Sequence, residues 1–386
     1  MTPIRITHIL PGLGVGGAER MLSQLVTGMD PLQFENRVIS LTDEGALGGH
    51  LRERGVEVQE LGMRRLPDPV GFARLVAWLR LSRPDIVQTW LYAADIVGGV
   101  AARMAGPGTV VWNIRQSAPG PEDAYRHRWS ARTAALLSGS VPHRVLSCSQ
   151  EARRSHERLG YRSGAVVIAN GIDVCTFRPA TLAAESLRGE LRLDPCTPLV
   201  GMVARFDAAK GHRDFLEALA HIVEHGHRLH AVLCGEGIVA SNPRLARWIS
   251  DLGLSHRVHL LGRRHDVPRL LAGLDVAVSA SRSEGFPNAV GEAMAAGVPC
   301  VATDVGDTAL LLGDTGTIVP ARDPEALAGA VLALLGADES TRRAVGARAR
   351  QRIRQHFTIE GAVERYARFY RSLVRSDVPQ GSACRT

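Results

Sequence analysis

Lysine is almost missing from this chain: of 46 basic residues, Lys210 is the single lysine and the rest are arginine. Basic runs are missing too, since no more than two basic residues stand together and there is no basic tail. The formal charge of +7 is therefore spread thinly. It reads as a solvated surface, with a weak attraction to an anionic lipid or substrate as the next possibility. No recognised module accompanies the charge, so nucleic acid is not an expected partner. The six cysteines are scattered with no C-x-x-C pair, and Cys148, Cys234 and Cys300 end apolar runs as small core residues would. Long apolar runs are absent: the longest nearly uncharged one, Ala326–Ala337, falls short of the ~20 residues that span a bilayer. Met1 to Ile6 opens no apolar leader, and a reduced, cytoplasmic setting is expected.

What is present is an ordinary globular composition, 45% apolar with 40 Gly and 20 Pro, over 386 residues. That excludes disordered, collagen-like and disulfide-stapled chains and suggests two or three domains. Short β-rich runs alternate with helical patterns, as in parallel α/β sheets. Strands are expected at Ile4–Leu10, Arg37–Leu41, Ile86–Thr89, Thr109–Ile114, Arg144–Ser147 and Val166–Ala169. Ser149 is placed to cap a helix over Gln150–Leu159, and Gly160 to stop it. The rhythm pauses over residues 170–195, where Pro179 and Pro195 punctuate a polar stretch. It restarts with Leu199–Ala204, Leu229–Cys234, Val258–Leu260, Val276–Ser279 and Cys300–Thr303, then three helices close the chain. The expected architecture is two doubly wound, Rossmann-like α/β domains facing across a cleft, residues 1–175 and 176–358. Ligands in such sheets bind beyond the carboxyl ends of the strands, at the switch point.

Gly12, Gly14 and Gly17 satisfy G-x-G-x-x-G after the first strand, and Asp43-Glu44 follows the second. This keeps an NAD(P)-dependent oxidoreductase open. The adjacent Gly16-Gly17 favours a backbone opening towards a bulkier ligand. The second half holds a more specific set. Arg205 at a strand end and Lys210 before the next helix can converge on one anion, such as a pyrophosphate, beside a helix N-terminus. In a chain that uses arginine nearly everywhere, a lysine suggests that a compact ammonium is wanted. Further on, Glu284 lies on a loop shaped by Gly285 and Pro287, and Asn288 opens a helix carrying Glu292. The two carboxylates can face one ligand, with amides of Phe286, Asn288 and Ala289 expected to point at the same space. Surface charge with no ligand is the alternative for each.

Together these residues resemble the retaining GT-B glycosyltransferases of family 4, along nearly the whole chain. Glu284-x7-Glu292 is similar to the family's E-x7-E signature, and Arg205 and Lys210 match its diphosphate-binding pair. Gly16-Gly17-Ala18-Glu19-Arg20 matches its glycine loop, and Asn170-Gly171-Ile172-Asp173 its interdomain hinge. The resemblance implies a nucleotide-diphosphate-sugar as co-substrate, UDP or GDP, with no resident cofactor or metal. It implies an N-terminal acceptor domain, a C-terminal donor domain, and a helix at about 359–375 packing back on the former. Arg205, Lys210 and Glu284 would be catalytic. Gly16, Gly17, Arg263, Val267, Phe286, Pro287, Asn288, Ala289 and Glu292 would bind the donor, with Arg263 and Asp266-Val267 framing the base. A non-catalytic sugar-nucleotide-binding protein of the same fold stays open as a further alternative.

One family feature is missing: the stretch Gln88 to Asp95 has no histidine where many relatives place one near the donor sugar. Trp90, Tyr92 and Asp95 are candidates for the acceptor pocket, with buried packing the alternative for the two rings. Arg115, after a strand at the cleft edge, is a candidate for an anionic acceptor. The acceptor itself would be a glycan or a lipid-linked sugar. Segment Tyr125–Leu137, with Arg126, Arg128, Trp129 and Arg132, is either a solvated helix face or a patch resting on the inner face of the cytoplasmic membrane.

Overall fold

The computed structural model describes residues 2–14, 16–63, 68–106, 108–120 and 124–375; Val15 of the glycine loop falls outside them. The chain divides into two units, one of residues up to Gly171 together with those from Ile359 onwards, the other Ile172–Thr358. The break falls a few residues before the boundary read from the sequence.

The first unit holds a parallel sheet of β1 (Ile4–Leu10), β2 (Phe34–Ser40), β3 (Glu57–Glu60), β4 (Ile86–Trp90), β5 (Thr109–Ile114), β6 (Arg144–Ser147) and β7 (Val166–Val167), in the order β3-β2-β1-β4-β5-β6-β7. Its central strands are buried nearly throughout because helices cover both faces. Strand order reverses between β1 and β4, so the loops after these two strands meet at the ligand-binding end. The C-terminal helix Ile359–Arg375 completes this unit. Ala362, Tyr366, Tyr370 and Leu373, one face at helical spacing, enter the same core as Leu22, Leu25, Ile86 and Trp90. Within the core Asn113 Nδ2 donates to the Tyr366 hydroxyl at 3.2 Å, and the Tyr370 hydroxyl donates to Gln88 Oε1 at 2.8 Å.

The second unit repeats the plan with β8 (Leu199–Val203), β9 (His230–Cys234), β10 (Val258–Leu260), β11 (Val276–Ser279), β12 (Cys300–Thr303) and β13 (Thr317–Val319), all parallel. The order β10-β9-β8-β11-β12-β13 puts the reversal between β8 and β11. The two segments that cross to the first unit run side by side here: the Ile172 amide donates to the Phe357 carbonyl at 2.8 Å, and Ile172 pairs with Thr358.

Candidate functional site

The loops that leave β8 and β11 are sewn together. After β8 the chain makes a short 3₁₀ turn, Ala208–Lys210, whose first orphan amide, Ala209 N–H, is taken by the Asp207 carboxylate at 2.9 Å. Gly211 follows in the left-handed region, φ +67°; a Cβ there would stand 1.9 Å from the Ala280 carbonyl, so only glycine lets the loops approach this closely. The Arg282 amide then donates to the Ala209 carbonyl at 2.7 Å, and its guanidinium grips Asp214 through two bonds of 2.9 and 2.6 Å. From the next strand the loop after β12 presses in: a Cβ on Gly306, φ +59°, would meet the Glu284 carbonyl at 2.5 Å.

This stitching brings Lys210 to Glu284. The ammonium lies 2.6 Å from Oε1, with the side chains only 22% and 13% exposed. Ser281, itself buried, donates to the same oxygen at 2.7 Å. Arg205 is held differently. Its side chain is 62% exposed, and Nε and Nη2 rest on Asp207 Oδ2 at 3.1 and 2.9 Å. Burial works against the Asp207 charge, yet the Ala209 amide, Arg205 and Lys210 together hold its carboxyl below the usual range. Beneath the loop His212 is buried against Phe206, ring centroids 5.5 Å apart, and burial pulls its pKa down to about 4, so it is neutral.

The structure thus places Arg205 and Lys210 on one loop, and it adds a direct Lys210–Glu284 pair that the sequence reading did not contain. Ser281 and Asp207, which orient these side chains, were also missed. The only signal for Ser281 was the run of small polar residues that ends β11.

Elsewhere the expectations need correction. Phe286 and Pro287 are buried, with Pro287 at the cap of helix Asn288–Ala295. The Asn288 amide is already bonded to the Phe286 carbonyl at 3.0 Å, so it is not one of the open donors expected there. Ala289 and Glu292 are half-buried, in the first turn and about one turn in. Arg263 is exposed on the loop after β10, whose Gly262 carbonyl takes the Gly235 amide at 2.8 Å; Gly235 in turn abuts Ala204, next to Arg205. Val267 is largely buried. Asp266 sits in a charge cluster. Arg264 and Arg269 bond it at 2.8 and 2.7 Å and hold its carboxyl far below the usual range, while both arginines also bind Glu190.

In the first unit the glycine loop lies at the switch point. Gly16 caps helix Gly17–Gly28 with extended backbone, and Gly14 and Gly17 are exposed. Glu19 folds back so closely that a Cβ on Gly16 would stand 2.3 Å from its carboxylate. The acceptor candidates beside it belong to the interior. The Trp90 indole donates to His8 Nδ1 at 3.3 Å, which leaves the His8 Nε2 proton for Asn36 at 3.1 Å. The Tyr92 hydroxyl donates to His156 Nε2 at 2.7 Å, the other ring nitrogen being bonded to the Ala152 carbonyl. Asp95 is fully buried beside Thr89, whose hydroxyl lies 2.5 Å away, and burial pushes its pKa up to about 8, so its carboxyl is protonated at neutral pH. Arg115 lies over the Trp90 ring, 5.0 Å from the centroid, and donates to Tyr366 and to Asn170. Trp90, Tyr92 and Asp95 are buried and Arg115 is half-buried; their bonds tie elements of this unit together, while Asp95 Oδ2 and Arg115 Nε are buried without a partner among the described residues.

Two doubly wound parallel sheets, each with its glycine-rich or charged loops at the switch point, define a GT-B glycosyltransferase fold. HepE of Anabaena, solved in complex with UDP and glucose, shares it with a TM-score of 0.84 over 96% of this chain and 100% of that one, at 23% identity. Family models agree unit by unit: "Glycosyltransferase Family 4" matches residues 15–175 and "Glycosyl transferases group 1" residues 197–337. The chain belongs to this glycosyltransferase family. Its curated relatives include the putative glycosyltransferase EpsF of Bacillus subtilis, 26% identical over 78% of this chain and 79% of that protein. Another is the UDP-Gal:alpha-D-GlcNAc-diphosphoundecaprenol alpha-1,3-galactosyltransferase of Escherichia coli, 24% identical over 96% and 97%. The oxidoreductase reading of the glycine loop finds no support in these matches. Among the described residues no three His, Cys, Asp or Glu side chains group as metal ligands would, and no helix is long and apolar enough to cross a membrane.

Proposed function

We propose that the protein is a retaining glycosyltransferase that takes a sugar from a nucleotide-diphosphate-sugar, UDP- or GDP-linked, and passes it to a hydroxyl of a glycan or lipid-linked acceptor in polysaccharide or glycoconjugate synthesis. The observation that carries the reading is the Lys210–Glu284 pair at the β8–β11 switch point, with Arg205 on the same loop. Breaking the bond from the anomeric carbon to the diphosphate oxygen sends its electron pair to the leaving group and leaves positive charge on the sugar. Arg205 and Lys210 are fixed cations for the former. Their charge does the work that a divalent cation would otherwise supply. Glu284, oriented by Lys210 and Ser281, faces the sugar, and Glu292 takes the ribose hydroxyls. The acceptor's proton leaves with the diphosphate oxygen on the same face, which preserves the anomeric configuration. The Escherichia coli relative supports a nucleotide-sugar donor and a lipid-diphosphate acceptor by its name, and the Anabaena structure supports UDP.

The test is a screen of UDP- and GDP-sugars with the anomer of the product assigned by NMR. Turnover of one such donor to a product of unchanged anomeric configuration is expected, in buffer with chelator as well as without. An inverted product, or turnover that chelator abolishes, would overturn the mechanism while leaving the family intact.

A further inference from the structure

Helices Pro69–Ser82, Leu91–Ala105 and Tyr125–Leu137 pack side by side as a layer of the first unit, and the last of them is built inside out. Helix Tyr125–Leu137 buries Ala131, Ala134 and Ala135 and leaves its largest apolar side chains outside: Trp129 is 55% exposed and Leu136 85%. A helix that answers only to its own core does the reverse. Tyr125, Trp129, Arg132 and Leu136 follow i, i+4, i+7, i+11 spacing and so form one stripe, the rings of Tyr125 and Trp129 lying 6.4 Å apart. The neighbouring helices add Val70, Leu81 and Met104, all exposed. Eleven large hydrophobic side chains are exposed among the described residues, and six of them sit on this layer. Chance scatter over the surface would not concentrate them so.

The charge of the layer has one sign. Its three helices carry Arg74, Arg80, Arg103, Arg126, Arg128 and Arg132 against a single acid, Asp95, which is buried and protonated. Residues 124–150 contain no acid; Glu122 and Asp123 precede that stretch. Among the described residues none of the six arginines pairs with a carboxylate: Arg74 and Arg80 donate to the Leu61 and Met104 carbonyls, and Arg103 meets His143.

We infer that the outer face of this layer docks on an anionic membrane surface. The components match the strata of a lipid–water interface. Tyr125 and Trp129 suit the headgroup level, Leu136 and its aliphatic neighbours suit the acyl boundary, and arginines that have no carboxylate beside them suit anionic headgroups. A nucleic acid would use the cations and rings but leave Val70, Leu81, Met104 and Leu136 without a partner. A protein partner would be expected to bring a carboxylate for each charge. The inference goes beyond the donor chemistry and stands even if that reading fails.

Flotation of the full chain with vesicles tests it. Binding is expected to phosphatidylcholine–phosphatidylglycerol vesicles, and to fall at high salt, with none to phosphatidylcholine alone. The pair R126E and R132E should weaken binding by roughly tenfold or more, since each basic side chain near such a surface contributes about fivefold. Trp129→Ser with Leu136→Ser should abolish insertion. Circular dichroism and transfer to a water-soluble acceptor should be unchanged in all of these. Equal binding to neutral and anionic vesicles, no binding to either, or wild-type self-association that the serine variants abolish would each overturn the assignment.

Discussion

A single lysine in a chain of arginines turns out to be one half of a short, half-buried ion pair. Lys210 has 2.6 Å to Glu284 in a space closed by Ser281 and by the glycine-bearing turn, and a planar guanidinium on a longer reach does not fit there without displacing the carboxylate. Lys210→Arg should therefore lose about tenfold or more in kcat/KM. Lys210→Ala should lose kcat by about 10²–10³-fold, the loss typical of a single transition-state donor. Donor saturation kinetics separate the two parameters. Full activity in Lys210→Arg would show that only the charge matters. Asp95 carries the second prediction at this scale. Its carboxyl holds a proton up to about pH 8 in the folded chain, whereas the unfolded chain releases it near the ordinary 3.8. The raised value means that stability is fully present below the unfolded pKa and drains away as pH rises towards 8. Asp95→Asn should flatten that slope. Its gain over the wild type in chemical denaturation should grow between pH 4 and pH 8, reach at most about 6 kcal/mol, and then level off.

Among the elements, the central strands were legible and the edges only in part. β1, β5, β6, β11 and β12 fall where the sequence puts them, and so does one edge strand, β10. Ser149 caps its helix by accepting from the Ala152 amide, and Gly160 ends it at φ +102°, as their chemistry suggests. The two missed strands, β3 and β13, are sheet edges. Glu57–Glu60 buries a single side chain, so no alternation survives to be read, and Thr317–Val319 is only three residues long. The site divides in the same manner. Residues identified by type and spacing, Arg205, Lys210 and Glu284, lie on the expected loops. Which of them touch is decided by Gly211 and Gly306, through close approaches between loops far apart in sequence. Gly211→Ala should consequently force the β8 and β11 loops apart, cost about 1–3 kcal/mol in strain before any clash is counted, and reduce turnover about as much as losing Lys210 itself. Near-normal kcat with normal stability would show that the loops have slack. The acceptor side failed for a physical reason: Trp90, Tyr92, Asp95 and Arg115 have polar groups that could serve either a ligand or a core, and spacing does not distinguish the two.

At the scale of the whole molecule, buried histidines work against stability at acid pH. Burial first of all depresses His8, His156 and His212 to about 4. Each favours the folded state above the unfolded value of 6.5 and loses that contribution as pH falls towards 4. His8 and His156 lie in the first unit and His212 in the second. Thermal unfolding followed from pH 7 to pH 4 should show the second unit weakening, whereas in the first unit the loss from His8 and His156 is offset by Asp95, whose contribution grows over the same range. His8→Gln with His156→Gln should remove that loss from the first unit alone, and equal slopes in the variant and the wild type would rule these residues out as its cause.

The seat of the last helix has a consequence in time. Tyr366 and Tyr370 bond Asn113 and Gln88 in the core of a unit whose strands are all made before residue 170, while the second unit is synthesised in between. On the ribosome, then, the portion made first must wait with an open apolar groove until helix Ile359–Arg375 has been made, and the portion made second can close ahead of it.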